Sequence, residues 1–141
     1  MRRSHMYAIA VLTAWAGSVA IAQSVNSPEE FSRSMKTIGA AVAAADKAIG
    51  SGAYPDAKMQ LVLARQSLAS TAPFWREKKA DEAIKLTKDA VARLDALDTL
   101  LSAATVDSAA ASNALKQMTA TCATCHTAYR EGDPQTGYRI K

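Results

Sequence analysis

SPEEFSRSMKTIGAAVAAADKAIGSG, residues 27–52, decides the fold class. Ser27 suits a helix N-cap, Pro28 the first helical position, and Glu29 and Glu30 the positive end of a helix dipole. Phe31, Met35, Ile38, Val42, Ala45 and Ile49 then recur at alternating spacings of four and three. That period lays one apolar stripe along a helix and cannot be presented by a strand. Gly50-Ser51-Gly52 ends it.

Three further segments show the same pattern. A second helix is expected from near Pro55 to about Ser70, with Leu61, Ala64 and Leu68 inward and Met59, Val62 and Leu63 widening the stripe. Thr71-Ala72-Pro73 breaks the chain. A long third helix follows over about 73–104, with Ala80, Ile84, Val91, Leu94, Leu97 and Leu101 on its buried face. Its wet face carries Lys78, Lys79, Asp81, Glu82, Lys85, Lys88 and Asp89. Asp107 caps the fourth helix, which carries Leu115, Met118, Cys122, Cys125 and Tyr129 and ends near Gly132. From about residue 133 the tail reads as irregular. No segment alternates with a period of two. Four amphipathic helices on short connections predict an all-α, antiparallel up-down-up-down four-helix bundle. The composition agrees: 49% of residues are hydrophobic but only 6% aromatic, and the abundant alanine and leucine favour helices over sheets.

Residues 1–22 read as an export signal. Arg2-Arg3 supplies a positive start, Tyr7–Ala16 is apolar, and Ala20-Ile21-Ala22 has the small-x-small form of a cleavage site. The apolar run, interrupted at Thr13, Gly17 and Ser18, falls short of the ~20 residues of a spanning helix. A domain over 23–141 and a periplasmic location in a bacterium are therefore expected, with no stable membrane insertion after cleavage. Seventeen Lys and Arg stand against 13 Asp and Glu in the whole chain. They are interspersed on the expected helix surfaces, a distribution that gives no nucleic-acid stripe.

The only two cysteines lie in Cys122-Ala123-Thr124-Cys125-His126, a C-x-x-C-H segment. This is the pattern of c-type haem attachment. Cysteines three apart on a helix reach one edge of a porphyrin, where their thiols add across the two vinyl groups. His126, one turn beyond Cys122, then ligates iron from the proximal side. Zinc would require about four ligands, and the one other histidine, His5, lies in the export signal. A disulfide between i and i+3 of a regular helix is awkward and leaves His126 without a purpose. One covalent haem c, with its iron, is the expected cofactor. Because that haem would supply much of the core, the apo-protein is expected to be loosened or unfolded.

A haem-attachment motif in the last of four helices resembles the class II cytochromes c, the cytochrome c′ family; in class I the motif sits near the N-terminus. The segment CATCHTAYR, residues 122–130, has the family's C-x-x-C-H-x-x-[YF]-R form, and Ser27–Glu30 with Met35-Lys36 and Gly39 is similar to the start of its first helix. The second helix and its link to the third are shorter than usual in that family, and the tail after Arg130 is an addition. The resemblance places Arg130 near the proximal face, beside the haem propionates; a cation at a helix C-terminus is the alternative. Tyr129, three residues past His126, shares the haem-facing side, or is a core aromatic at helical spacing. In low-spin members a first-helix methionine is the sixth ligand, and Met35 stands four residues before Gly39 as that residue does. The alternative is that Met35 continues the apolar stripe. Met118 lies about 12 Å before His126 along one helix and cannot cross the ring; Met59 would need a rotated second helix.

Two functions follow. With Met35 bound, iron is low-spin and the protein carries single electrons between periplasmic redox partners. With an open, apolar distal face, iron is five-coordinate and high-spin and binds NO or CO. Neither is an enzyme: no Ser/His/Asp set, phosphate-binding glycine loop or isolated carboxylate pair is present. Trp75 reads as a staple on the bundle end, with a partner-docking aromatic as the alternative. Relatives commonly pair two-fold through an exposed helix face, so a homodimer and a monomer are both expected states.

Overall fold

The structure, a computed structural model, describes residues 24–141. The expected export signal lies outside them. Helices form 75% of the described residues. In chain order the elements are α1 (Pro28–Gly50), α2 (Tyr54–Ala69), α3 (Ala72–Glu77), α4 (Asp81–Leu101), α5 (Ser108–Tyr129), β1 (Arg130–Asp133) and β2 (Gly137–Ile140).

α1 begins as its sequence requires. The Ser27 hydroxyl accepts from the Glu30 N–H at 3.2 Å, and the Glu30 carboxylate accepts from the N–H groups of Ser27 and Asn26 at 3.2 and 2.9 Å. This reciprocal box satisfies donors that a helix start otherwise leaves free. Phe31, Ile38, Ala45 and Ile49 of the expected stripe are buried, and Met35 and Val42 are half-buried. In α2, Leu61, Ala64 and Leu68 face inward, but Met59, Val62 and Leu63 are exposed, Met59 to 62%. The stripe of α2 is therefore narrower than its composition suggests.

The single long third helix is corrected to two. α3 stops after Glu77, and Lys79 takes a left-handed conformation with φ 53°. The Ala80 N–H bonds to the Trp75 carbonyl and the Lys79 N–H to that of Arg76. This is a Schellman stop, usually marked by glycine. Here a lysine occupies the left-handed position, so the sequence lacks the usual signal. After the break, Leu94, Leu97 and Leu101 are buried as expected. Ala80, Ile84 and Val91 are only half-buried, and Ala83, Thr87 and Ala90 lie deeper. Asp107 caps α5, its carboxylate accepting from the Ala110 N–H at 2.9 Å.

The tail is also corrected. Instead of an irregular segment from residue 133, β1 and β2 form an antiparallel hairpin pairing Arg130 with Ile140, Glu131 with Arg139, Gly132 with Tyr138 and Asp133 with Gly137. The Asp133 carboxylate accepts from the N–H groups of Gln135 and Thr136 and from the Thr136 hydroxyl, shaping the turn. Gly132 has φ 88°, and a Cβ there would strike the Gly137 carbonyl. The hairpin thus depends on turn chemistry rather than on apolar alternation, the signal by which strands are usually recognised.

α1 packs on α2 and α5, and α4 packs on α2 and α5. Lys58 reaches Asp98 and Ser102 while Arg65 pairs with Asp95, so α2 and α4 run in opposite directions. Two apolar clusters result. The first joins Ile38, Ala45, Ile49, Leu61, Leu94, Leu97, Leu115 and Met118 among the four long helices. The second joins Val25, Phe31, Phe74, Trp75 and Ala83, with Tyr129 and Ile140 against it. Among the described residues, no helix is long and apolar enough to cross a membrane.

Candidate functional site

Cys122, Cys125 and His126 lie on the last two turns of α5, and all three are half-buried. Both cysteines are free thiols. The Cys122 Sγ sits 3.7 Å from the Met118 Sδ, at the edge of the first cluster. Burial pushes the Cys122 thiol above its ordinary pKa; Cys125 is pushed up by burial and then by Cys122. The His126 imidazole is held below its ordinary value, first by burial and then by the Arg130 charge. Near neutral pH this favours uncharged His126, the form that ligates a metal.

Four threonines also lie along this part of the helix. Thr119, Thr121, Thr124 and Thr127 each donate a hydroxyl to the carbonyl four residues back. Such residues have modest helix propensity, so α5 is held in place by its packing against α1 and α4.

The remaining candidates divide between two settings. Met35 is half-buried and touches both clusters. Phe31, one turn before Met35, shares the second cluster with Tyr129, three residues past His126. The fold therefore brings Met35 to the end of the molecule that carries His126. Met118 is 1% exposed inside the core with its sulfur beside Cys122, and Met59 faces solvent; Met35 is the methionine that approaches this end from another helix. The Tyr129 ring lies 5.2 Å from Trp75, which in turn packs on Phe31 and Phe74. Tyr129 is half-buried and packs against the second cluster. Trp75, 2% exposed, is the staple rather than an exposed docking aromatic. Arg130 caps α5 with its N–H on the His126 carbonyl, and its guanidinium lies 4.0 Å above the Tyr138 ring.

Two residues escaped the sequence reading. Ile140 packs into the second cluster, and Lys141 bonds the end of α5. The only signal for either was an isolated apolar residue in a polar tail.

The donor set can be tested against the group it implies. Among the described residues, no three His, Cys, Asp or Glu side chains are arranged to hold a bare metal ion. A porphyrin brings four nitrogens of its own and asks the chain for two thiols and an axial base, which Cys122, Cys125 and His126 fit. No protein-family model, curated protein or solved structure matches this chain.

Proposed function

We propose that this chain is an exported monohaem c-type cytochrome of the class II kind, an up-down-up-down four-helix bundle that carries single electrons between periplasmic partners. One observation carries the reading. The two free thiols stand at i and i+3 on a helix, and a half-buried imidazole kept neutral follows immediately.

Cys122 and Cys125 would hold the ring edge through two thioethers, each thiol adding sulfur to one vinyl carbon and its proton to the other. His126 would donate an imidazole lone pair from α5. Met35 would offer a neutral thioether from α1, a ligand that favours a raised potential. The apolar clusters on either side of Met35 would exclude water. Bound haem supplies an iron that changes oxidation state by one electron. The same apolar seat of Met35 also supports the second reading, a five-coordinate iron open to NO or CO.

Absorption spectra of the purified exported protein, ferric and ferrous, together with a pyridine haemochrome assay, test the proposal. Covalent haem c is expected, with a low-spin spectrum and the far-red ferric band of methionine ligation. A chain without covalent haem overturns it. A high-spin spectrum with rapid ferrous CO binding replaces electron transfer by gas binding.

A further inference from the structure

The hairpin after α5 returns the chain to the helix it has just left. A helix end leaves its last four carbonyls without intrahelical donors. Here the His126 carbonyl is taken by the Arg130 N–H, and those of Thr127, Ala128 and Tyr129 follow the proposed iron ligand. Lys141 takes two of them: its ammonium donates to the Thr127 carbonyl at 2.8 Å and its N–H to that of Tyr129 at 3.0 Å. Its position is set by the β1–β2 pairing, by the Arg139–Glu131 ion pair at 2.7 Å and by Arg130 stacked on Tyr138. Ile140 anchors the return strand against the second apolar cluster, which Tyr129 also meets, and β2 touches α1. The hairpin therefore ties the His126 turn to the helix that carries Met35.

A ligating histidine is normally oriented by a hydrogen bond to its second ring nitrogen. Among the described residues no hydrogen bond is formed to the His126 ring. Its direction is left to the backbone turn that bears it, and that turn is what the tail grips.

We infer that Ile140 and Lys141 are positioning residues for His126, clamping the last turn of α5 so that the imidazole meets iron in a single orientation. The inference rests on the haem reading for the iron, but the clamp itself belongs to the polypeptide. It is tested on the exported holoprotein with Ile140→Ser and Lys141→Met, and with Lys141→Arg as the conservative rescue. Haem content should be unchanged. Amide exchange at residues 126–130 should rise about tenfold, as when one charge-assisted hydrogen bond is lost, with α1 and α2 protected as before. The ferric electron paramagnetic resonance spectrum should broaden or split in both disrupting variants, and Lys141→Arg should restore it. An unchanged resonance spectrum overturns the inference, as does exchange that rises equally in α1 and α2. If the parent protein carries no haem, the haem reading fails at the haemochrome assay. The exchange data then separately decide whether the tail grips the turn.

Discussion

The rings of Trp75 and Tyr129 lie 5.2 Å apart, tilted at 54°, joining the short helix α3 to the turn that carries His126. Trp75 is the one tryptophan among the described residues, and it is almost wholly buried in an aromatic group with Phe31 and Phe74. Trp75→Ala should destabilise the protein by about 3–5 kcal/mol, read from denaturant unfolding. A loss below ~1 kcal/mol would mean that this end of the molecule is not a packed core.

Met35 separates the two functional readings. Met35→Ala should abolish the far-red ferric band, convert the iron to high spin and lower the midpoint potential. Optical redox titration measures all three changes. A spectrum indifferent to the substitution would favour the open distal face.

The apo-protein should respond to pH through His126. Burial and Arg130 hold the folded imidazole below its ordinary 6.5, so the unfolded chain takes up a proton first as pH falls. That contribution to stability is complete above the ordinary value and is lost as pH falls from there toward the lowered folded value. Cys122→Ala with Cys125→Ala provides an apo chain for urea titrations across this window. In the holoprotein the loss should extend to lower pH wherever unfolding frees the imidazole, because a nitrogen held by iron takes up no proton in the folded state. A slope of opposite sign in the apo chain would refute the burial of His126.

The same double variant should melt less cooperatively and at lower temperature than the holoprotein, since a group held only by the native state stabilises it. Differential scanning calorimetry of the two forms makes the comparison. Equal stability would show that the helices need no cofactor to complete their core.

Gly132→Ala should unpair the hairpin. At φ 88° a Cβ costs roughly 1–2 kcal/mol, and here it would also meet the Gly137 carbonyl. Faster amide exchange at Tyr138 and Ile140, with α2 unaffected, is the expected result. Unchanged protection there would show that the turn accepts a side chain.

The helices were legible because burial on one face imposes a period, and Phe31, Ile38, Ala45 and Ile49 display it without reference to any neighbour. The Ser27 and Asp107 caps were legible for a similar reason: each bonds a backbone group within three residues. The candidate site was readable because Cys122, Cys125 and His126 belong to one turn of one helix. Where local signals were silent or misleading, the reading missed. Lys79 adopts a left-handed stop without glycine, so α3 and α4 were read as continuous. Met59, Val62 and Leu63 counted as core, since composition does not say which apolar face finds a partner.

Three relationships required the tertiary structure: Tyr129 against Trp75, Met35 brought to the His126 end, and Lys141 on the Thr127 carbonyl. Each joins residues distant in the chain or on different elements, and depends on how the elements pack. Hydrophobic period and capping act within a few residues and are written in order along the chain. The meeting of distant side chains is decided by helix packing and by a hairpin turn, whose energies are shared among many residues and are not assigned to any one segment.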